Sequence, residues 1–515
     1  MQAGLSKRNM AWLNFPAVEL GFSLIFLWII YRFLTASKRN KGKLGLPPGP
    51  RPWPLVGNLH LLGTFPPKSV TQLGKKYGPI MFLRLGSVPT VVASSPAMAK
   101  EFLKTHDLIF ASRPATSGAK YLGYERRDVA LAPYGEYWRQ MRKLCTMELL
   151  TTKRTESFRW VREEEATAMV RSVWEGSEKG MRSVELRNLI STLSLNTICR
   201  MFAGRRYSEL SGGDSFLEIM TEIMHLLGVI IVGDYIPSLS FLDLQGYRRR
   251  MKAVHKAYDA FAEKLIDERV ELRRRRSKRS DNPDLLDVML DMGESESSEI
   301  QVSRLSIKAI ILDMLLAGVD TSLITIEWAM TELLRNPKVM ARAQQEIELQ
   351  VGRDRIVRES DLVNLDYLRC VMKETFRLHP VGAFMVPHES TEGCNVGGYY
   401  VPPKTRLLVN VWAMGRDDCI WKDPLEFKPE RFIGSSIDLK GQHFELLPFG
   451  AGRRGCPGMS MGSSVVHLAV AQLIHCFDWS VEGEVNREEE FGLSLPKKFP
   501  LSALPSWRLA TEGPP

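Results

Sequence analysis

Hydrophobic and polar residues alternate along this chain in three distinct patterns. Phe15 to Leu34 is mostly apolar, and Leu20 to Tyr31 carries no charge. About 20 such residues, at 1.5 Å rise, cross a bilayer core. Five basic residues between Arg32 and Lys43, against two before the span, predict that the C-terminal side stays cytosolic. The apolar stretch is short enough to be weighed as a cleaved signal peptide, with Ala36 near a cleavage site. The basic flank favours a retained anchor: 1–14 lumenal, 15–34 transmembrane, and 35–50 a basic, Pro-rich hinge ending in Leu46-Pro47-Pro48-Gly49-Pro50. The remaining body, 51–515, is dominated by the helical period, at 137–150, 156–175, 215–232, 246–276, 304–335, 337–351, 366–378 and 459–476. Strand-like runs are few: Ile80–Leu85, Thr90–Ala93 and Arg406–Val411. Residues 277–300 are polar, acidic and serine-containing, and read as a surface connection. The pattern predicts a mainly α fold with minor β.

Composition changes this picture little. Among 515 residues, 44% hydrophobic and 25% charged are globular values that exclude disordered and fibrous classes. The seven cysteines form no C-x-x-C pair, so neither a disulfide framework nor a four-ligand zinc site is indicated. The net charge of +10 raises the question of a nucleic-acid partner. Seven basic residues against Glu19 place +6 of it in the first 50 residues, beside the anchor. The cluster Arg273–Arg276 with Lys278 and Arg279 reads as a solvated linker, and no nucleic-acid partner is expected.

Candidate chemistry concentrates in Phe449-Gly450-Ala451-Gly452-Arg453-Arg454-Gly455-Cys456-Pro457-Gly458. Gly450, Gly452 and Gly455 spell G-x-G-x-x-G, the dinucleotide pattern, and an apolar segment follows. That pattern needs a preceding buried strand, yet the lead-in ends in Pro448, which lacks the amide a central strand donates. A metal-binding thiolate explains the loop better. It needs an accessible sulfur, backbone amides aimed at it and nearby positive charge. The glycines permit positive-φ turns, Pro457 suits the first position of the following helix, and Arg454 supplies a cation.

F-x-x-G-x-R-x-C-x-G resembles the haem-binding loop of the cytochrome P-450 superfamily, and further motifs stand in the family's order from residue 47 to 510. The resemblance implies one largely helical domain holding haem b, with Cys456 as the axial iron ligand and Phe449 and Gly450 beside the cofactor. It implies that Trp138 and Arg142, on one face of a helix, contact the haem propionates with Arg454. Ala317-Gly318-Val319-Asp320-Thr321 resembles the stretch that crosses over the haem. Asp320 and Thr321 would relay protons for dioxygen activation, and Gly318 would open space for a ligand; a threonine bonded back to its own helix is the plainer alternative. Glu374 and Arg377, with Arg431, resemble the family's buried structural triad.

The implied activity is that of an NADPH- and O2-dependent haem-thiolate monooxygenase on the endoplasmic reticulum membrane, single-pass, its catalytic domain cytosolic. Electrons would come through a flavoprotein NADPH–cytochrome P-450 reductase, with Lys143 and Arg453 as docking contacts. The chain resembles the plant A-type group. Leu149–Arg154, Gly233–Pro237 and the run from Glu359 to His388 are similar to in-chain fatty-acid hydroxylases, which makes hydroxylation of a medium-chain fatty acid the first expectation. Flavonoid 3'-hydroxylases and hydroxycinnamoyl-ester hydroxylases are the alternative, and a non-oxygenating haem-thiolate isomerase or dehydratase is an alternative of another class. The pocket would be lined near Ser112–Leu131, Met314–Thr321, Val381–Pro387 and Leu493–Leu495, with Phe384 and Met385 setting its shape.

Overall fold

The computed structural model describes residues 45–210, 213–275, 283–294 and 302–514. The anchor expected at 15–34 lies outside the described residues, as does most of the basic segment after it. The described end of the expected hinge is fixed to the body. Phe82 N donates to Pro48 O (2.8 Å) and Tyr400 N to Gly45 O (3.0 Å).

Helices make up most of the body: α1 Pro66–Tyr77, α2 Glu136–Leu144, α3 Arg159–Gly176, α4 Leu186–Ala203, α5 Gly213–Gly228, α6 Tyr247–Arg275, α7 Leu285–Glu294, α8 Arg304–Arg335, α9 Pro337–Val351, α10 Asp366–Leu378 and α11 Met459–Cys476. Periodicity located α8 to α11 to the residue. Local chemistry fixes such ends: the Ser303 side chain accepts from Ser306 N and caps α8, and Pro337 opens α9 where its missing amide costs nothing. The stretch expected at 137–150 is α2 continued by a π-turn over Cys145–Leu149. The connection expected at 277–300 is corrected by α7, whose Leu285, Leu286, Met289 and Leu290 are buried. Helix α4 had no sequence signal. Leu193 to Cys199 are all buried, so it shows no amphipathic stripe to detect.

The sheet component is minor. Strands β1 Ile80–Leu85 and β2 Val88–Ala93 form a hairpin, and β7 Arg406–Val409 joins β2 in parallel, Val91 opposite Leu407. β4 His388–Glu389 completes that sheet in the order β1-β2-β7-β4. A second sheet joins β3 Val184–Glu185, β9 Ser502–Trp507 and β8 Phe477–Ser480, and β5 Cys394–Val396 pairs with β6 Tyr399–Val401.

Helix α8 threads the two largest hydrophobic cores. Its first half, Ile307 to Leu315, packs with α4, α6 and α7; its last half, Ile326 to Leu333, packs with α3, α10 and α11. The middle carries the Ala317–Thr321 motif, with Leu316 and Val319 against the first core and Leu323 against the second. The expected triad is present, with Glu374 and Arg377 buried and Arg431 partly exposed. Arg377 Nε and Nη2 donate to the two oxygens of Glu374 (2.7 and 2.8 Å), and Arg431 Nε adds a third bond (3.0 Å). Arg377 also donates to the carbonyls of Gly415, Pro424 and Glu426, tying α10 to the 415–431 loops.

Candidate functional site

The 449–458 loop has no strand before it, so the nucleotide-binding alternative fails on the context it requires. Gly450 and Gly452 take φ of 70° and 67°, conformations that favour glycine, whereas Gly455 and Gly458 keep negative φ. Two of the four glycines therefore make the positive-φ turns that the sequence permits. Cys456 N donates to Phe449 O (2.8 Å), closing the loop. Helix α11 begins at Met459 behind the N-cap Gly458, two residues later than Pro457 was expected to open it. The Cys456 side chain has accessible surface, yet surrounding protein raises its thiol above the ordinary value. Both hold for a sulfur facing an internal cleft. The Gly458 amide and the Arg142 guanidinium pull the other way, favouring thiolate.

The expected partners converge on this loop. Arg142 Nη2 donates to Gly455 O (2.6 Å), and the Arg454 guanidinium lies 4.1 Å from the Trp138 ring. Arg454 donates to three carbonyls, of Ala111 (2.6 Å), Val129 (3.2 Å) and Ala132 (2.6 Å). Trp138 Nε1 also donates to Val129 O (3.0 Å). In this structure these two side chains order the 111–132 segment, and burial pushes Arg454 down to about 10. Phe449 packs edge-on against Phe376 of α10 (5.5 Å). Arg453 pairs with Asp107 (2.8 Å).

On α8, Asp313, Ala317 and Thr321 repeat every four residues and share one face. Ala317 and Thr321 have accessible surface in a helix whose flanking halves are buried, so this face opens on a cleft. Thr321 Oγ1 donates to Ala317 O (2.5 Å), the plainer alternative, and a hydroxyl so engaged keeps lone pairs for a second partner. Gly318 corrects an expectation: a Cβ there would stand 2.6 Å from Ile198 Cδ1, so the glycine admits α4 and does not open ligand space. Asp320 accepts from Ser494 Oγ (2.6 Å); burial raises its carboxyl, while Ser494 and Arg187 oppose the rise.

The four segments expected to line a pocket meet. Gly450 lies against Met385: a Cβ on it would stand 2.9 Å from Met385 Cε. Met385 has φ of 55°, strained for a non-glycine residue. Arg113 Nη1 donates to Val386 O (2.5 Å) and Pro387 O (3.0 Å), and Leu495 N to Val381 O (2.8 Å). Ser117 binds Asp234 through its amide and hydroxyl, so the 233–237 stretch reaches the same place.

Asp313 escaped the sequence reading, and so did the role of Ser494, which falls inside the expected lining Leu493–Leu495. Ser494 stands between two leucines, and its bond to Asp320 spans 174 positions. Asp313 Oδ2 accepts from Val129 N (2.5 Å) and Ala130 N (3.3 Å), beside the buried Asp128. Burial raises Asp128 well above the carboxylate range and Asp313 to about 7, the two amides opposing the latter. A carboxyl raised on folding favours the folded state at low pH, and that contribution is lost as pH rises to 7. Asp313→Asn is therefore expected to gain stability over the wild type between pH 4 and 7, by at most about 1.4 kcal/mol per pH unit. Urea unfolding of both proteins across that range checks it; parallel curves would count against it.

The residues fit the haem that the resemblance implies. One thiol with accessible surface is backed by an amide and a guanidinium, Arg142 and Arg454 border its loop, and Gly450 turns through a positive φ beside Met385. Comparison with known proteins agrees. The family model described as Cytochrome P-450 matches residues 47–502. The chain is 46% identical over 515 residues to cytochrome P-450 750A1 of Pinus taeda, covering 96% of this chain and 97% of that one. It is 40% identical over 509 residues to the flavonoid 3'-monooxygenase of Petunia hybrida, covering 96% and 98%. A flavonoid 3',5'-hydroxylase of Crocosmia x crocosmiiflora is 44% identical over 515 residues, covering 95% and 96%. Among solved structures, zebra fish cytochrome P-450 with abiraterone matches with TM-score 0.72 and 25% identity, covering 86% of this chain and 100% of that one.

Proposed function

The chain belongs to the cytochrome P-450 family of haem monooxygenases, and from that premise we propose that it hydroxylates a planar phenolic substrate of the flavonoid type. The observation that carries this reading is identity of 40–44% over nearly the whole chain to enzymes named flavonoid 3'- and 3',5'-hydroxylases. The fatty-acid hydroxylation first expected from Leu149–Arg154 and Gly233–Pro237 finds no such support.

The haem, held by Cys456, would supply dioxygen activation when bound. Overall, one oxygen atom of O2 enters a substrate C–H bond as hydroxyl. The other leaves as water, taking two electrons from NADPH through a reductase and two protons. This chain's residues do the rest. Phe384, Met385 and Leu493 orient the ring, and Asp320 with Thr321 holds a proton near the site of reaction. The Phe15–Leu34 anchor would keep the enzyme at the endoplasmic reticulum membrane, facing the cytosol.

Co-expression with a plant reductase tests this reading. A flavanone should shift the haem spectrum and yield a hydroxylated product only with NADPH, with kcat/KM more than about tenfold above that for lauric acid. Comparable laurate hydroxylation would overturn the substrate class. Product formation without NADPH would favour an isomerase or dehydratase.

A further inference from the structure

The Ser494 hydroxyl projects from a backbone that is fixed without its help. Leu495 N donates to Val381 O (2.8 Å), Leu495 O accepts from Trp328 Nε1 of α8 (3.0 Å), and Lys497 O accepts from Arg187 Nη2 of α4 (2.7 Å). From this frame Ser494 Oγ donates to Asp320 Oδ2 at 2.6 Å, the one hydrogen bond the Asp320 side chain makes among the described residues. Asp320 is otherwise enclosed on a helix, where a carboxyl can turn about its soft terminal torsion. A serine hydroxyl can donate to a carboxylate and accept from water at once.

We propose that Ser494 is a positioning residue for Asp320, holding its carboxyl in one orientation and passing protons to it from water. This rests on the proposed role of Asp320 as the acid of the site. Each time Asp320 gives up its proton, the Ser494 O–H bond breaks as an O–H bond forms on Asp320 Oδ2. In the same concerted step a water molecule on the far side donates a proton to the Ser494 oxygen and takes one from bulk solvent, so the serine ends as it began and neither alkoxide nor hydroxide is left. Of the charged groups nearby, Arg187 from α4 acts on Asp320; Glu327 is bonded to Arg187 (2.9 Å), and Lys497, whose ammonium burial lowers to about 8, acts on that Arg187–Glu327 pair. Ser494 stabilises the ionised carboxyl, so its loss moves Asp320 further up.

The test compares Ser494→Ala, Ser494→Thr and Asp320→Asn in the full chain with reductase. One readout is hydroxylated product per NADPH oxidised. The other needs no turnover: the pH midpoint of the Asp320 carboxyl band in infrared spectra of protein labelled with carbon-13 aspartate, assigned by subtracting Asp320→Asn. Lysine carries no label, so Lys497 is silent. In Ser494→Ala, coupling should fall roughly three- to tenfold, the worth of about one hydrogen bond. The carboxyl midpoint should move to higher pH with the substrate-binding spectrum unchanged, and Ser494→Thr should restore both. Wild-type coupling and midpoint in Ser494→Ala, with Asp320→Asn uncoupled, would overturn the role of Ser494 alone. Full coupling in Asp320→Asn would overturn the role of Asp320 itself.

Discussion

Replacing Cys456 by alanine is expected to remove all NADPH-dependent hydroxylation while leaving the fold intact. The loop does not depend on the sulfur for its shape. Cys456 N to Phe449 O, Gly455 N to Gly452 O and the turns at Gly450 and Gly452 are backbone features. Arg142 is bonded to a carbonyl, Gly455 O, and not to the thiol. The sulfur makes none of the hydrogen bonds that join the loop to α2 and the 111–132 segment, so its deletion leaves those contacts in place. The effect should therefore fall on the cofactor. Removing an outer partner of a metal ligand already costs about 10–100-fold, and loss of the ligand itself should exceed that. Turnover with reductase, alongside urea unfolding, checks the prediction; retained turnover would contradict it.

Arg377→Ala is expected to do the opposite, destroying the fold before it touches the chemistry. The side chain is fully buried, donates to both oxygens of an equally buried Glu374 and satisfies the carbonyls of Gly415, Pro424 and Glu426. Deleting one partner of a buried pair leaves an uncompensated charge and costs about 3–5 kcal/mol. That is a large share of the roughly 5–15 kcal/mol by which a folded chain is stable. Arg377→Ala should give little soluble protein at 37 °C. Arg431→Ala, which removes one of the four hydrogen bonds to Glu374, should remain soluble with a lower unfolding midpoint. Equal stability of Arg377→Ala and wild type would contradict this account of α10.

The sequence made legible what is local. Helices α9 and α10 carry one apolar face, α8 has the Ser303 cap, and α11 follows directly on the Cys456 loop, which carries its chemistry in ten consecutive residues. Trp138 and Arg142 were readable because four residues make one helical turn. What escaped depends on distant partners. Helix α4 is buried all round and shows no period, so neither it nor its contact with Gly318 could be read. Leu285, Leu286, Met289 and Leu290 were masked by acidic neighbours in the 277–300 stretch. Ser494 and Asp313 matter through Asp320 and Val129, and no short pattern records a pairing across 174 or 184 positions. Substrate class was not legible for a related reason. Short runs such as Leu149–Arg154 are shared among relatives, while the cleft is assembled from four separate segments.

The central claim is that the Cys456 sulfur is the axial donor to the haem iron. The carbon monoxide difference spectrum of the reduced full-length protein tests it most directly, comparing wild type with Cys456→His. The wild type should show the red-shifted Soret band of thiolate-ligated haem. Cys456→His, which offers an imidazole from the same backbone position, should show only the shorter-wavelength band of nitrogen-ligated haem. An unchanged thiolate band in Cys456→His would contradict the assignment.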